Sequence, residues 1–153
     1  HADAHIMAAD LLNSGVRSYE IHRMLYENKK ISHVRLLASV INCLKFKYEN
    51  KIAWFHITNK MMSDVNATQE DVDGFTEFVR AINNVEVSFM IQDLDDGNFR
   101  INFRSSGNYV INDIAKSFGG GGHIYAAGAK IEKSRYDVIE KLILEKLKKK
   151  LKS

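Results

Sequence analysis

The 153-residue chain is 45% apolar and 27% charged, an ordinary globular balance that excludes a disordered chain and suffices for a core without a covalent staple. Its apolar runs are too short for a transmembrane helix, and the single Cys43 excludes an internal disulfide framework and a cysteine-built zinc site. Residues 141–153 hold six lysines against one glutamate, so a net charge of +3 leaves −2 for the remainder, and the basic character is that of a tail rather than a nucleic-acid-binding face.

In chain order, Ile6, Ala9, Leu11 and Leu12 lie at helical spacing over residues 4–14, with Ser14-Gly15 as a stop. Ser18 stands as an N-cap before Ile21, Leu25 and Tyr26, which predicts a second helix to about Asn28. A third follows Ser32, with Val34, Leu37, Ala38 and Ile41 as its apolar face. The period then changes. Leu44, Phe46 and Tyr48 alternate with charged residues, Asn50-Lys51 can turn, and Ile52–Ile57 reads as a more buried returning strand. Thr68 with Asp71 forms a capping-box pattern ahead of a helix over 69–81, its stripe being Phe75, Phe78, Val79 and Ile82. Val85, Val87 and Phe89 alternate on one strand, and Asp96-Gly97 signals a hairpin. Phe99, Ile101 and Phe103 alternate on the return, opposite Arg100, Asn102 and Arg104. A short helix carries Ile111, Ile114, Ala115 and Phe118, with Asn112 as N-cap and Gly119 as its left-handed end. Ala127–Ile131 predicts one more strand, and Ile139, Ile143, Leu147 and Leu151 a final helix. The expected class is α/β: a mixed sheet of about five strands flanked by helices, with residues 1–43 as a helical connector and 44–153 as the main domain.

Five of the nine glycines fall between residues 119 and 128. Glycine loses the most backbone entropy on folding, and a simple turn needs only one or two. A run of four suggests that something must approach the backbone closely, with amides free to form an anion nest; a helical turn after Gly122 would add its own N–H groups. A flexible connection is the other reading of the run, and no Walker lysine or dinucleotide-fold spacing accompanies it. His123 can donate to a phosphate and gain charge near neutral pH. Arg104 ends a strand, where a guanidinium can grip phosphate bidentately and the Ser105 hydroxyl can add a bond. Small Ala126 and Ala127 leave room for a base or ribose.

Phe103-Arg104-Ser105, Val110 to Ala115, and Phe118-Gly-Gly-Gly-Gly-His123-x-x-Ala126-Ala127-Gly128-Ala129 resemble the DHH-associated C-terminal domain of DHH (Asp-His-His) phosphoesterases, in the branch of nanoRNases, pAp phosphatases and cyclic-di-AMP phosphodiesterases. His5-x-x-Ala8-Ala9-Asp10-Leu11-Leu12-x-x-Gly15 and Ile21-x-x-x-Leu25-Tyr26-Glu27 resemble that branch's inter-domain connector, and Asn66 to Phe75 fits as well. The resemblance implies that Arg104, Ser105, Gly120, Gly121, Gly122, His123 and Ala126 bind substrate: short RNA, a dinucleotide or 3′-phosphoadenosine phosphate (pAp). It implies no catalytic residue and no metal ligand here, because no Asp-His-His motif is present; Mn2+ would be bound by a separate N-terminal DHH domain of the parent protein. The chain begins at His1 rather than methionine, and the expectation is a piece of a longer cytoplasmic hydrolase without a membrane partner; a homodimer is left open. The alternatives are a non-catalytic module for a nucleotide or RNA end and a tRNA-linked role like that of domains appended to alanyl-tRNA synthetases.

Overall fold

A computed structural model describes residues 2–151, and the chain divides into two compact units, His1–Ile31 and Ser32–Ser153. The first unit holds helices α1 (Ala2–Asn13) and α2 (Ser18–Tyr26), in neither of which any residue is buried. Gly15, at φ +94°, makes the turn between them. Ser18 opens α2 rather than capping it: Arg17 is the N-cap, without a side-chain bond to a helix amide, and pairs with Glu20 at 2.5 Å.

The second unit is built on a six-stranded mixed sheet. Its strands are β1 (Lys45–Lys47), β2 (Ile52–Ile57), β3 (Val87–Asp93), β4 (Phe99–Ser105), β5 (Gly121–His123) and β6 (Ala126–Ile131). The spatial order is β1-β2-β3-β4-β6-β5, and only the β2–β3 pair is parallel. A parallel pair needs a long crossover. Residues 58–86 supply it with α4 (Asn59–Asp64), a 3-10 turn (Gln69–Val72) and α5 (Phe75–Arg80).

Two apolar clusters clamp the sheet. On one face Trp54, Phe89, Ile101 and Phe103 pack against Ile114 and Ala115 of α6 (Asn112–Lys116) and Ile139, Ile143 and Leu147 of α7 (Tyr136–Leu151). On the other, Ala53, Phe55, Ile57 and Met90 pack under Leu36 and Val40 of α3 (Ile31–Asn42) and Phe75 and Val79 of α5. On this face α5 reaches the edge of β4, but the apolar cluster includes no β4 residue, and Arg100, Asn102 and Arg104 belong to neither cluster. That uncovered half-face carries the candidate site.

Several sequence expectations are revised by packing. The sixth strand, β5, has no apolar alternation to announce it. α3 buries Leu36 and Val40 in the sheet unit, while Val34, Ala38 and Ile41 are exposed, so this helix belongs to the core rather than to the connector. The helix expected over 69–81 is interrupted at Asp73-Gly74, where Gly74 adopts φ +87°. The Thr68–Asp71 capping box is present, with the Asp71 carboxylate accepting from the Thr68 amide at 2.8 Å. Asn112 is the first residue of α6, and its N-cap is Ile111. β3 is buried on both faces, as a central strand must be. The first hairpin turns through Tyr48, Glu49 and Asn50, all with positive φ, and not through Asn50-Lys51 alone. Among the described residues no helix is long and apolar enough to cross a membrane.

Candidate phosphate-binding face

Sheet register determines which side chains share the open half-face. Along β4, Phe99, Ile101 and Phe103 are buried, so Arg100, Asn102 and Arg104 point the other way. Phe103 pairs with buried Ala127, which places Ala126, Gly128 and Lys130 of β6 on the open side. Arg104 pairs with Ala126, and Ala126 with His123 of β5; Asn102 pairs with Gly128, and Gly128 with Gly121; Arg100 pairs with Lys130. Two cross-strand rows result, Arg104–Ala126–His123 and Asn102–Gly128–Gly121. With strands about 4.8 Å apart, the Arg104 and His123 backbones stand roughly 10 Å from one another across a floor of one methyl group. Arg100 lies a further ~13 Å along β4 from Arg104. A shallow hollow of about 350 Å³, lined by Arg100, Asn102, Gly120, Gly128 and Lys130 among others, adjoins these rows.

The glycine run is shaped by the protein's own strands. The Gly120 amide donates to Ala115 O (2.9 Å) and the Gly119 amide to Lys116 O (3.0 Å), with Gly119 at φ +77°, a Schellman closure of α6. These two amides are therefore spent on the helix end and are not part of an anion nest. A Cβ on Gly120 would stand 2.1 Å from Gly128 O, and one on Gly122 would stand 2.6 Å from Ala126 O. What approaches closely is β6. Gly121 faces open space. The chain after Gly122 continues as β5 and not as a helical turn. Its two-residue connection to β6 is pinned by backbone bonds from Ser105 N to Tyr125 O (2.9 Å) and from Ile111 N to Ile124 O (2.8 Å), which fixes His123 opposite Arg104.

The predicted site residues thus separate into groups. Arg104, His123 and Ala126 share one row, Gly121 lies in the next, and Gly120 lines the hollow. Gly122 pairs with Ala127, a register position of the opposite face, and has no room for a side chain. Ser105 is buried on the opposite face from Arg104, and its hydroxyl accepts from the Gly107 amide at 3.3 Å, so its hydroxyl closes a turn and does not face Arg104's side. Asn102, Arg100 and Lys130 are additions; the alternation of β4 was the signal for the first two. His123 is exposed, and no side-chain bond of Arg100, Asn102, His123 or Lys130 occurs among the described residues.

Arg104 is held. Its Nε donates to Glu77 Oε1 of α5 at 2.5 Å and its Nη1 to Phe103 O at 2.9 Å. A guanidinium fork, an imidazole and a carboxamide above a floor of alanine and glycine can bind a phosphate and let a flat ligand lie close. Manganese does not fit here: among the described residues no three His, Cys, Asp or Glu side chains converge, and the nearest approach is the pair of His56 and Asp93 at 2.6 Å. No metal step is assigned to these residues.

A DHHA1 domain family model matches residues 55–153. The bifunctional oligoribonuclease and PAP phosphatase NrnA of Thermus thermophilus is 29% identical over 145 residues, 95% of this chain and 43% of the relative. A probable enzyme of the same name from Streptococcus mutans is 31% identical over 81 residues, 53% of this chain and 26% of that protein. Among solved structures, an exopolyphosphatase-related protein from Bacteroides fragilis superposes with a TM-score of 0.89 at 25% identity, over 100% of this chain and 46% of that one. The chain thus spans less than half the length of these relatives. With the family match running from the middle of β2 through the rest of the sheet, the glycine strand and α7, the chain belongs to the DHHA1 domain family, the DHH-associated C-terminal domain.

Proposed function

We propose that this chain is the substrate-binding part of a metal-dependent DHH-family phosphoesterase that hydrolyses short oligonucleotides, dinucleotides or pAp. One observation carries the reading: Arg104 and His123 come into a single cross-strand row, separated only by Ala126, on a half-face of the sheet that neither apolar cluster covers. Two groups able to donate to phosphate oxygens, across a gap of about 10 Å, suit a phosphate or two linked ones. Asn102 offers both a donor and an acceptor to a neighbouring base or sugar. Arg100 and Lys130 add positive charge along the same face. The floor at Ala126 and Gly128 leaves backbone and methyl surface for the flat part of a nucleotide.

Hydrolysis itself belongs, on this reading, to an N-terminal DHH domain of the parent protein that binds Mn2+ and supplies the activated water; the partial span of the relatives supports that division. This chain would bind, orient and limit the length of the substrate as the two parts close. A cytoplasmic location goes with substrates of this kind.

The test is titration of adenosine 5′-monophosphate (AMP) followed by backbone amide NMR. Saturable shifts are expected at 102–104 and 119–128. Arg104→Ala and His123→Ala should each weaken binding about tenfold, the scale of a charge-assisted hydrogen bond; the melting temperature should hold for exposed His123→Ala and fall slightly for Arg104→Ala, which loses its pair with Glu77. An absence of shifts at millimolar ligand, or shifts confined to another face, would refute the assignment.

A further inference from the structure

The arginine of this face is not a freely moving side chain. Of its five N–H donors, Nε is occupied by Glu77 and one on Nη1 by the carbonyl of Phe103. Three remain, one on Nη1 and both on Nη2, so the terminal nitrogens keep donors for a phosphate acceptor. Glu77 is itself fixed from below. Its neighbours Phe75 and Val79 are in the core, and the carbonyl of adjacent Thr76 accepts from Ser88 Oγ at 2.8 Å. Ser88 is the cross-strand partner of Arg104. The helix that presents the carboxylate is therefore bolted to the strand beside the arginine it holds.

We propose that Glu77 is the positioning residue of this face, holding Arg104 at Nε so that its remaining terminal N–H donors are ready for phosphate before the ligand arrives. The inference rests on the phosphate-binding reading of Arg104. An arginine ordered in advance loses less rotamer freedom on binding. Against this, the carboxylate repels a phosphate dianion, but both partners are partly exposed, with side chains 29% and 46% accessible for Arg104 and Glu77, and water and salt screen that repulsion. Ordering wins.

The two effects are separable by substitution in the 153-residue chain, with AMP as the probe. Glu77→Gln keeps an oxygen acceptor for Nε and removes the charge; Glu77→Ala removes both. Positioning predicts that Glu77→Gln binds AMP at least as tightly as the wild type. Glu77→Ala should bind it roughly fivefold more weakly, the equivalent of about 1 kcal/mol. In an Arg104→Ala background Glu77→Ala should change nothing, because the carboxylate acts only through the arginine. Tighter binding by both variants would make Glu77 a competitor of the ligand and overturn the inference. So would a loss of equal size in the Arg104→Ala background, which would show a general structural role. Failure of the underlying reading looks different: AMP binding is then absent in the wild type or indifferent to Arg104→Ala, and Glu77 falls with it.

Discussion

Gly120 and Gly121 are neighbours with opposite surroundings, and they give a direct test of how β5 is built. A Cβ at Gly120 would stand 2.1 Å from Gly128 O and 2.6 Å from both the Cα and Cβ of Ala129, whereas one at Gly121 meets nothing within 4 Å. The closest obstacle to Gly120 is backbone of the paired strand, so no rotamer change relieves it; β5 has to lift by roughly 1 Å to restore ordinary contact. Overpacking against a well-packed neighbour costs about 1–3 kcal/mol, and an immovable backbone puts Gly120→Ala at the upper end. At 2–4 °C per kcal/mol for a chain of this size, the melting temperature should fall by roughly 10 °C. Gly121→Ala should change it by no more than about 0.5 kcal/mol, the scale of substitutions that touch nothing, and should show its effect in AMP affinity, because Gly121 lies in the Asn102–Gly128 row. Thermal and urea unfolding of the pair, followed by circular dichroism, reads both. Equal destabilisation by the two variants, or a neutral Gly120→Ala, would refute the close packing of the glycine strand on β6.

Leu36 of α3 is fully buried in the core, so Leu36→Ala should cost about 2–5 kcal/mol in urea unfolding, while Val34→Ala, on the exposed side of the same helix, should stay within about 0.5 kcal/mol. The Glu140 carboxylate accepts from Trp54 Nε1 (2.6 Å), Lys45 Nζ (2.8 Å) and Tyr136 Oη. Burial alone would raise its pKa, but the bonds from Lys45, Tyr136 and Trp54 outweigh burial and hold it below the ordinary 4.5. A depressed carboxyl stabilises the fold above its unfolded pKa and loses that contribution as pH falls through the lower, folded value. Glu140→Gln should therefore destabilise at pH 7, and the difference from the wild type should shrink as pH falls below about 4.5, as read by urea midpoints across that range.

The elements readable in advance were those whose own residues carry a period. β4 shows it best: Phe99, Ile101 and Phe103 inward and Arg100, Asn102 and Arg104 outward is legible as alternation, and the sheet uses it unchanged. β5 is the opposite case. Gly121, Gly122 and His123 have no apolar face, and the strand exists because β6 offers a partner and glycine lets the two backbones close up, information that lies in tertiary contact alone. α3 misled for a related reason. Both Leu36 and Leu37 fit a helical stripe, and which stripe is buried depends on where Phe55 and Val79 lie. In the site, Arg104 and His123 were visible as chemistry, but Ser105 faces the other side by the same alternation that exposes Arg104. Glu77 could not be read at all. It lies 27 residues from its partner, and only the packing of α5 beside β3 brings them together.

The division of labour between floor and rim has an evolutionary consequence. The floor, Ala126 and Gly128, is tied by register to strands that pack the core, and Gly128 has no room for a side chain because Asn102 Oδ1 and Ile101 O would each lie 2.9 Å from its Cβ. The rim, half-buried Arg100 with exposed His123 and Lys130, lies outside both apolar clusters. Substitutions there cost little folding free energy, of order 0.5 kcal/mol or less. On the proposed function, descendants of this scaffold can therefore exchange one ligand for another by drifting through rim residues alone, each intermediate remaining folded, while the floor is inherited intact.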